Sequence, residues 1–311
     1  MSVISLTMTD DKGIFPVLFS EFSMVREALN PATKISFSFP SAAWRGEAKT
    51  FAFSSPSYTD VFRVDRHSVV KTERGICQQV EGRSLLGSNL LDHEAYPRSL
   101  ENVGMMHLLK EIAFSYGITT YTVPFEEILP LFVISDKASV WYTITDFARR
   151  AYGQKIYLLE NKSLYVGIPP QKNKYTFSNA SEEGVKYSQC AYKFSPEDRI
   201  KEVRALDDSG NVTSYPNLFD SEANRVLYSR NPSSFNQSPV KTPNAQIIQS
   251  VGKGQRLSVT VPGYFLGIPN DIGVFPEMNA LGVWQLEKGE WSWQNGWHTM
   301  LEFTKKEHRG E

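Results

Sequence analysis

Residues 34–40 read Lys-Ile-Ser-Phe-Ser-Phe-Pro, a strict alternation of polar and apolar side chains. A period of two buries one face of a strand and wets the other, a pattern that a helix does not satisfy. Phe51 and Phe53 continue the pattern, and strand-like runs at 60–64, 68–71 and 75–82 follow at short intervals marked by Ser, Pro and Gly. The far end of the chain has the same style, at 256–261, 282–286 and 298–303. Short strands separated by turn residues predict a β-barrel or sandwich at each end. Aromatic residues at 13% fit that expectation, because they favour pleated, half-buried surfaces.

Between the two ends the hydrophobic period changes. Leu100, Val103, Met106 or His107, Lys110 and Phe114 trace one stripe, widened by Leu108, Leu109, Ile112 and Ala113. The spacing predicts an amphipathic helix over 100–116, stopped by Gly117. A strand over 119–123 follows. A second helix is predicted over 137–152, capped by Ser135 or Asp136. Val140, Ile144, Phe147, Ala148 and Ala151 form its buried face, and Gly153 stops it. Arg149 and Arg150 in its last turn suit the helix dipole. Apolar runs at 155–159 and 163–168 flank the polar turn Glu160-Asn161-Lys162 and predict a β-hairpin, closed by Pro169-Pro170.

Strands return over 175–200. Residues 207–244 are rich in Ser, Asn, Asp and Pro and read as a loop-rich insertion or a partly mobile segment. A short helix over 245–251 follows Pro243. The expected fold class is therefore a mixed, β-rich α+β chain with two β-barrel domains, a small α/β middle domain and a loop-rich insertion. The boundaries are 1–98 for the first barrel, 99–172 for the middle domain, 173–206 with 245–311 for the second barrel, and 207–244 for the insertion. A chain of 311 residues is long enough for such a division.

Several function classes find little support. A formal net charge of −1 lacks the basic excess that phosphate binding needs. Cys77 and Cys190 stand far apart and offer neither a disulfide framework nor a Cys-rich zinc site. Both sit in strand-like runs and read as buried free thiols. Asp10 and Asp11 stand where a signal peptide would be apolar, and no apolar run reaches the about 18 residues of a membrane span. Folding in a cytoplasm is the expectation.

His67, His93, His107, His298 and His308 show no metal-ligand spacing. Gly252-Lys253-Gly254 precedes a strand, where a phosphate loop needs a helix, and reads as a turn. Glu126-Glu127 and Asp207-Asp208 are adjacent pairs that read as solvated, not as the spaced carboxylates of a glycosidase. No catalytic residue, metal or cofactor is assigned. Trp284, Trp291, Trp293 and Trp297 crowd into one short span. They are candidates for a subunit interface or a sugar platform, while Trp291 and Trp293, two apart, also suit one face of a core strand.

One stretch carries a resemblance. Gly82-Arg83-Ser84-Leu85-Leu86-Gly87-Ser88-Asn89-Leu90-Leu91-Asp92 resembles the "GRS…L.D" stretch of the phage Mu tail hub and late control D family of baseplate proteins. Tyr116-Gly117 after a helix, the helix ending at Gly153, the Pro-Pro closing the hairpin, Val259-Thr260-Val261-Pro262-Gly263-Tyr264, Gly267-Ile268-Pro269-Asn270 and Gly296-Trp297-His298-Thr299-Met300-Leu301 follow in the family's order. Ile268 departs from it, standing where the family often has Trp, and 207–244 aligns with nothing there.

The resemblance covers most of the chain from Ile35 onward. It implies a non-enzymatic, homotrimeric hub in the tail of a virion, assembled in the bacterial host cytoplasm. Each subunit would supply two tube-type barrels to a ring of near-sixfold symmetry. The implied partners are the tail tube protein, a spike or tail-tip protein and other baseplate proteins, with the genome passing through without sequence-specific binding. Gly82, Arg83, Ser84, Leu91 and Asp92 would be structural positions. Arg83 would bridge strand and helix or face a neighbouring subunit; an exposed arginine after a strand is the plain alternative. A carbohydrate- or receptor-binding tail-tip module using the four tryptophans is the second reading. A hydrolase with a dispersed site is the third.

Overall fold

Alternating burial shapes the first strands. The computed structural model describes residues 4–41, 46–55, 58–73, 75–167, 169–170, 173–206, 210–218, 223–230, 243, 246–247, 250, 254–278 and 282–305. The chain opens with β1 (Ser5–Asp10), β2 (Gly13–Val17), β3 (Glu21–Glu27) and β4 (Lys34–Ser41). It continues with β5 (Thr50–Ser55), β6 (Tyr58–Thr72) and β7 (Gly75–Ser84). In β3 the period of two turns Phe22, Met24 and Arg26 to the buried face.

The middle of the chain holds α1 (Leu85–Asp92), β8 (Arg98–Val103), α2 (Met105–Ile112) and β9 (Tyr121–Thr122). It then forms β10 (Leu129–Ile134), α3 (Val140–Tyr152), β11 (Ile156–Leu158) and β12 (Leu164–Val166). These elements share one apolar cluster, including Leu90, Leu108, Phe132, Ile144, Phe147 and Leu164. This core begins at α1, ahead of residue 99.

The last third contains β13 (Lys174–Thr176), β14 (Gln189–Phe194), β15 (Ile200–Leu206) and β16 (Val212–Pro216). After β17 (Arg225–Arg230) come β18 (Gln255–Pro262), β19 (Ile272–Val274), β20 (Trp284–Trp293) and β21 (Trp297–Lys305).

Both ends of the chain enter one 13-stranded sheet, along the path β14-β18-β21-β20-β3-β4-β7-β6-β5-β1-β2, with β19 on β20 and β13 on β19. The join is the antiparallel pairing of β20 with β3, from Lys288↔Glu27 to Trp293↔Phe22. Among the described residues the pairing path does not close into a barrel. One core runs under both halves, from Leu6 and Phe53 to Leu257 and Phe303.

Several expectations need correction. Residues 98–103 are not helical: β8 pairs with β10, the α-helix spans Met105–Ile112, and a 3-10 turn at Phe114–Tyr116 runs to the expected stop at Gly117 in the left-handed region. Leu100 and Val103 are buried three residues apart in an irregular strand, and that spacing mimics a helical stripe. Asn102 at φ 48° breaks the strand before Gly104 opens α2. The strand expected at 119–123 shrinks to Tyr121–Thr122.

The second helix starts at Val140, because Ser139 and neither Ser135 nor Asp136 is its cap. Ser139 Oγ accepts from Tyr142 N at 3.1 Å, while Lys137 at φ 58° is not helical. Gly153 ends the helix in the left-handed region, where a glycine carries no Cβ penalty.

The stretch 207–244 is not loop alone. β16 and β17 flank β15 in a separate three-stranded sheet, over a small core of Ile200, Val203 and Ile247. Polar, Ser-rich sequence hid these strands because most of their side chains are exposed or half-buried. Most of the helix expected at 245–251, with Ile168, Asp207, Asp208, Gly252, Lys253 and His308, lies outside the described residues.

Candidate functional site

The stretch beginning at Gly82 forms the joint between the large sheet and the helical cluster. A Cβ on Gly82 would lie 2.3 Å from Arg63 O and 2.6 Å from Phe51 Cε1, so only glycine lets β6 and the Phe51 ring come this close. Ser84 ends β7 and precedes α1. Its N–H donates to Thr33 O at 2.9 Å and its Oγ accepts from Thr33 N at 3.1 Å. The hydroxyl therefore ties β7 to β4 and does not cap α1, although Ser84 occupies the cap position. Gly87 in α1 sits against backbone: a Cβ there would meet Pro31 O and Ala32 Cα at 2.4 Å. Leu91 packs at the edge of the helical cluster.

Arg83 bridges strand and helix within the chain. The β6–β7 register slips between Val64 and Arg66, leaving Asp65 as the extra residue of a bulge. Bulges re-aim side chains, and this one sets Asp65 on Arg83. Arg83 donates from Nε to Asp65 Oδ2 at 2.6 Å and from Nη2 to Asp65 Oδ1 at 2.9 Å. It also reaches Asp92 at the end of α1, from Nη1 to Oδ1 at 2.9 Å and Nη2 to Oδ2 at 2.8 Å. Arg63 joins both carboxylates through Nη2.

Bidentate arginine–carboxylate pairs are among the stronger charge-assisted contacts. The hydrogen bonds from Arg83 are the main reason the Asp92 carboxyl is held down at about 2; burial opposes them, and the hydrogen bond from Arg63 adds a smaller lowering. Asp65 is lowered for the same reasons. The network is balanced and locked, which suits a structural joint more than proton transfer.

A cleft of about 530 Å³ opens beside this joint, between β3, β6, the β11–β12 turn and the turn 268–271. Arg26, Tyr58, Asp60, Glu160, Asn270 and Asp271 line it. The Arg26 guanidinium donates to Glu160 Oε1 at 3.1 Å and lies 4.2 Å over the Tyr58 ring. Asp271 is buried, which raises its pKa against the lowering hydrogen bonds from Ile268 N and Asn173.

Sequence reasoning missed Arg26, Glu160, Asp65 and Arg63. No local signal marks a pair 134 positions apart. The bulge at Asp65 was in principle hinted at by the polar break Asp65-Arg66-His67 within a run of valines.

The tryptophans divide. Trp284 and Trp291 are 1% and 0% exposed, so the chain's own core takes both. Trp291 Nε1 donates to Phe265 O at 2.6 Å, and Gly289 makes room for its indole, since a Cβ there would meet Cη2 at 2.2 Å. Trp293 and Trp297 are partly buried and face each other across the β20–β21 turn, with ring centres 5.5 Å apart. Trp297 also touches Phe22 from the other half of the sheet.

Cys77 and Cys190 are free and only half-buried, and burial pushes the Cys190 thiol up to about 11. His67 is bonded to Gln78 and Ala48 N within the sheet. Glu126 accepts from Tyr121 Oη at 3.2 Å. Among the described residues no three His, Cys, Asp or Glu side chains are grouped to hold a metal ion. No helix among them is long and apolar enough to cross a membrane.

No protein-family model and no curated protein matches the chain. Solved structures do. A tail protein from Neisseria meningitidis superposes with a TM-score of 0.75 at 16% identity, covering 98% of this chain and 96% of that one. The 43 kDa tail protein of prophage MuSo2 from Shewanella oneidensis gives 0.76 at 12% identity, covering 97% and 98%. An Escherichia coli component of the type VI secretion system, itself described as similar to bacteriophage T4 tail proteins, gives 0.65 at 10% identity and covers 98% of this chain and 77% of that one. The chain therefore has, end to end, the fold of solved phage and prophage tail proteins, a fold it shares with a type VI secretion component.

Proposed function

We propose that the protein is a structural subunit of a phage or phage-like tail, a baseplate hub without catalytic role. One observation carries this reading: two solved tail proteins match over 96% and 98% of their own length as well as nearly all of this chain. A shared fold at such low identity leaves function to inference, and the motif order beginning at Gly82 supports the narrower step to a hub resembling the phage Mu and late control D proteins.

In this reading the halves expected at 1–98 and at 173–206 with 245–311 act as two tube-type barrel domains, with α1 passing to the helical core and β15 to the small three-stranded sheet. Residues 99–172 form the α/β middle domain and 207–244 an insertion. Three subunits associate into a ring of near-sixfold symmetry. The ring joins a tail tube to a spike or tail tip, contacts other baseplate proteins and lets DNA pass. A net charge near zero suits such a channel, because a basic lining would hold the phosphates. Ring formation would also cover open sheet edges such as β14 and β2. Assembly takes place in the host cytoplasm and the mature location is the virion tail. Gly82, Arg83, Ser84, Leu91 and Asp92 serve as the internal joint, and Trp293 and Trp297 remain the candidate contacts from the aromatic span.

The sugar- or receptor-binding alternative loses Trp284 and Trp291 to the core and, of the four tryptophans it was built on, keeps only the partly buried pair Trp293 and Trp297. Light scattering on a sizing column tests the hub reading through mass. Three chain masses of 35.2 kDa each are expected; a strict monomer together with a saturable glycan response would favour the alternative.

A further inference from the structure

The large sheet and the segment 85–166 have separate apolar cores. Ion pairs join them at Asp92 and at Glu160, among other contacts. On one side Arg63 and Arg83 of the sheet hold Asp92 of α1. On the other, Arg26 of β3 holds Glu160 in the turn between β11 and β12. The two contacts differ in kind.

At the Asp92 side the backbones also meet, with Gly87 against Pro31 and Ala32, so movement there is restricted. From this contact the cleft of about 530 Å³, lined by Pro31 and Gly87 as well as by Glu160, separates the two surfaces on the Glu160 side. Arg26 is 7% exposed, and its Nη1 is buried with no acceptor among the described residues. A buried guanidinium depends on its counter-charge, and losing that partner is costly. The Glu160 contact is thus the one whose making or breaking changes the state of the joint most.

We propose that Arg26–Glu160 is a latch. Segment 85–166 swings on the sheet about α1, and opening the latch widens the cleft and exposes Tyr58 beneath Arg26. The hinge is the close contact at Gly87, and the moving edge is the β11–β12 turn. Such a device lets one subunit adjust the angle between its sheet and its helical segment without unfolding either core. It stands on the contacts within one chain and does not depend on the hub reading.

Hydroxyl-radical footprinting of the full chain, read by mass spectrometry, tests it in wild type and Glu160→Gln. The latch predicts about threefold faster oxidation of Tyr58 and Leu159 in the variant, with Trp291 and Ile144 unchanged as reporters of the two cores. A smaller rise at the same residues is expected for wild type in about 1 M salt, which screens partly exposed charge. Unchanged oxidation of Tyr58 and Leu159 in Glu160→Gln would overturn the latch. A parallel rise at Trp291 and Ile144 would also overturn it, since that reports general loosening. If Glu160→Gln does not fold, the double variant Arg26→Met, Glu160→Gln removes both charges together and is judged by the same residues.

Discussion

The large sheet and the helical cluster bury their cores by different means. The sheet stacks aromatics: Phe51 lies on Phe62 with ring centres 4.9 Å apart, Phe22 on Phe53 at 5.5 Å, and Phe177 on Phe275 at 5.0 Å. The helical cluster is mainly aliphatic, with Ala148 and Ala151 on the buried face of α3 where elements come close. Strands project side chains alternately and at a distance, so large rings fill the space between them. The contrast also concerns range. The sheet depends on residues 21–27 meeting 288–293, whereas the helical cluster is built from one contiguous stretch. It follows that damage to the sheet's aromatic core should affect the whole chain, and damage to the helices should stay more local.

The largest expected effect tests the sheet side. Trp291→Ala should cost about 3–5 kcal/mol, since it removes a fully buried indole and its bond to Phe265 O. Urea denaturation should show one lowered transition at both termini. A loss confined to the last third would mean that the two ends are not one cooperative sheet.

Gly82→Ala comes next, at about 1–3 kcal/mol, from forcing a methyl against Arg63 O and Phe51. The same denaturation assay reads it, and a neutral result would show that β6 and β7 can part without cost.

Asp92→Asn weakens the joint between the two regions, by about 1–2 kcal/mol after allowing for solvent at a partly exposed network. It also has a pH signature. The folded pKa of Asp92 is depressed from 3.8 to about 2, so its stabilisation is full above about 4 and disappears as the pH falls from there through 2. Acid titration of stability should be shallower in that window for Asp92→Asn than for wild type. Equal slopes would mean that Arg83 gives Asp92 no real advantage.

The smallest effect sharpens the helical side. Ser139→Ala removes the α3 cap and should cost about 1 kcal/mol, visible by circular dichroism during melting. A loss of near-UV signal from the sheet tryptophans at the same temperature would break the expected separation of the two regions.

That separation also governs what could be read from the amino-acid sequence. α3, its glycine stop and the hairpin after it were legible because each is signalled locally, by Gly153 and by Glu160-Asn161-Lys162 between apolar runs. β8 was misread as helix because burial at Leu100 and Val103 comes three residues apart in a strand. Strands such as β4, β7, β18 and β21 were legible one by one, but β1, β2 and β3 were not read at all, and the shared sheet was hidden because nothing in residues 21–27 names 288–293 as partner. The joint was half legible. The stretch from Gly82 to Asp92 stood out, yet Asp65 and Arg63 entered it only through a bulge and a cross-strand register. Arg26 and Glu160 had no sequence signature at all, since an inward arginine at the end of a strand looks like any exposed one.

The most direct measurement is electron microscopy of the purified protein with its rotational symmetry determined from class averages. A trimeric hub, as proposed, would appear as a ring with a central hole and threefold symmetry that approximates sixfold. Particles without a hole, or with twofold symmetry, would contradict it.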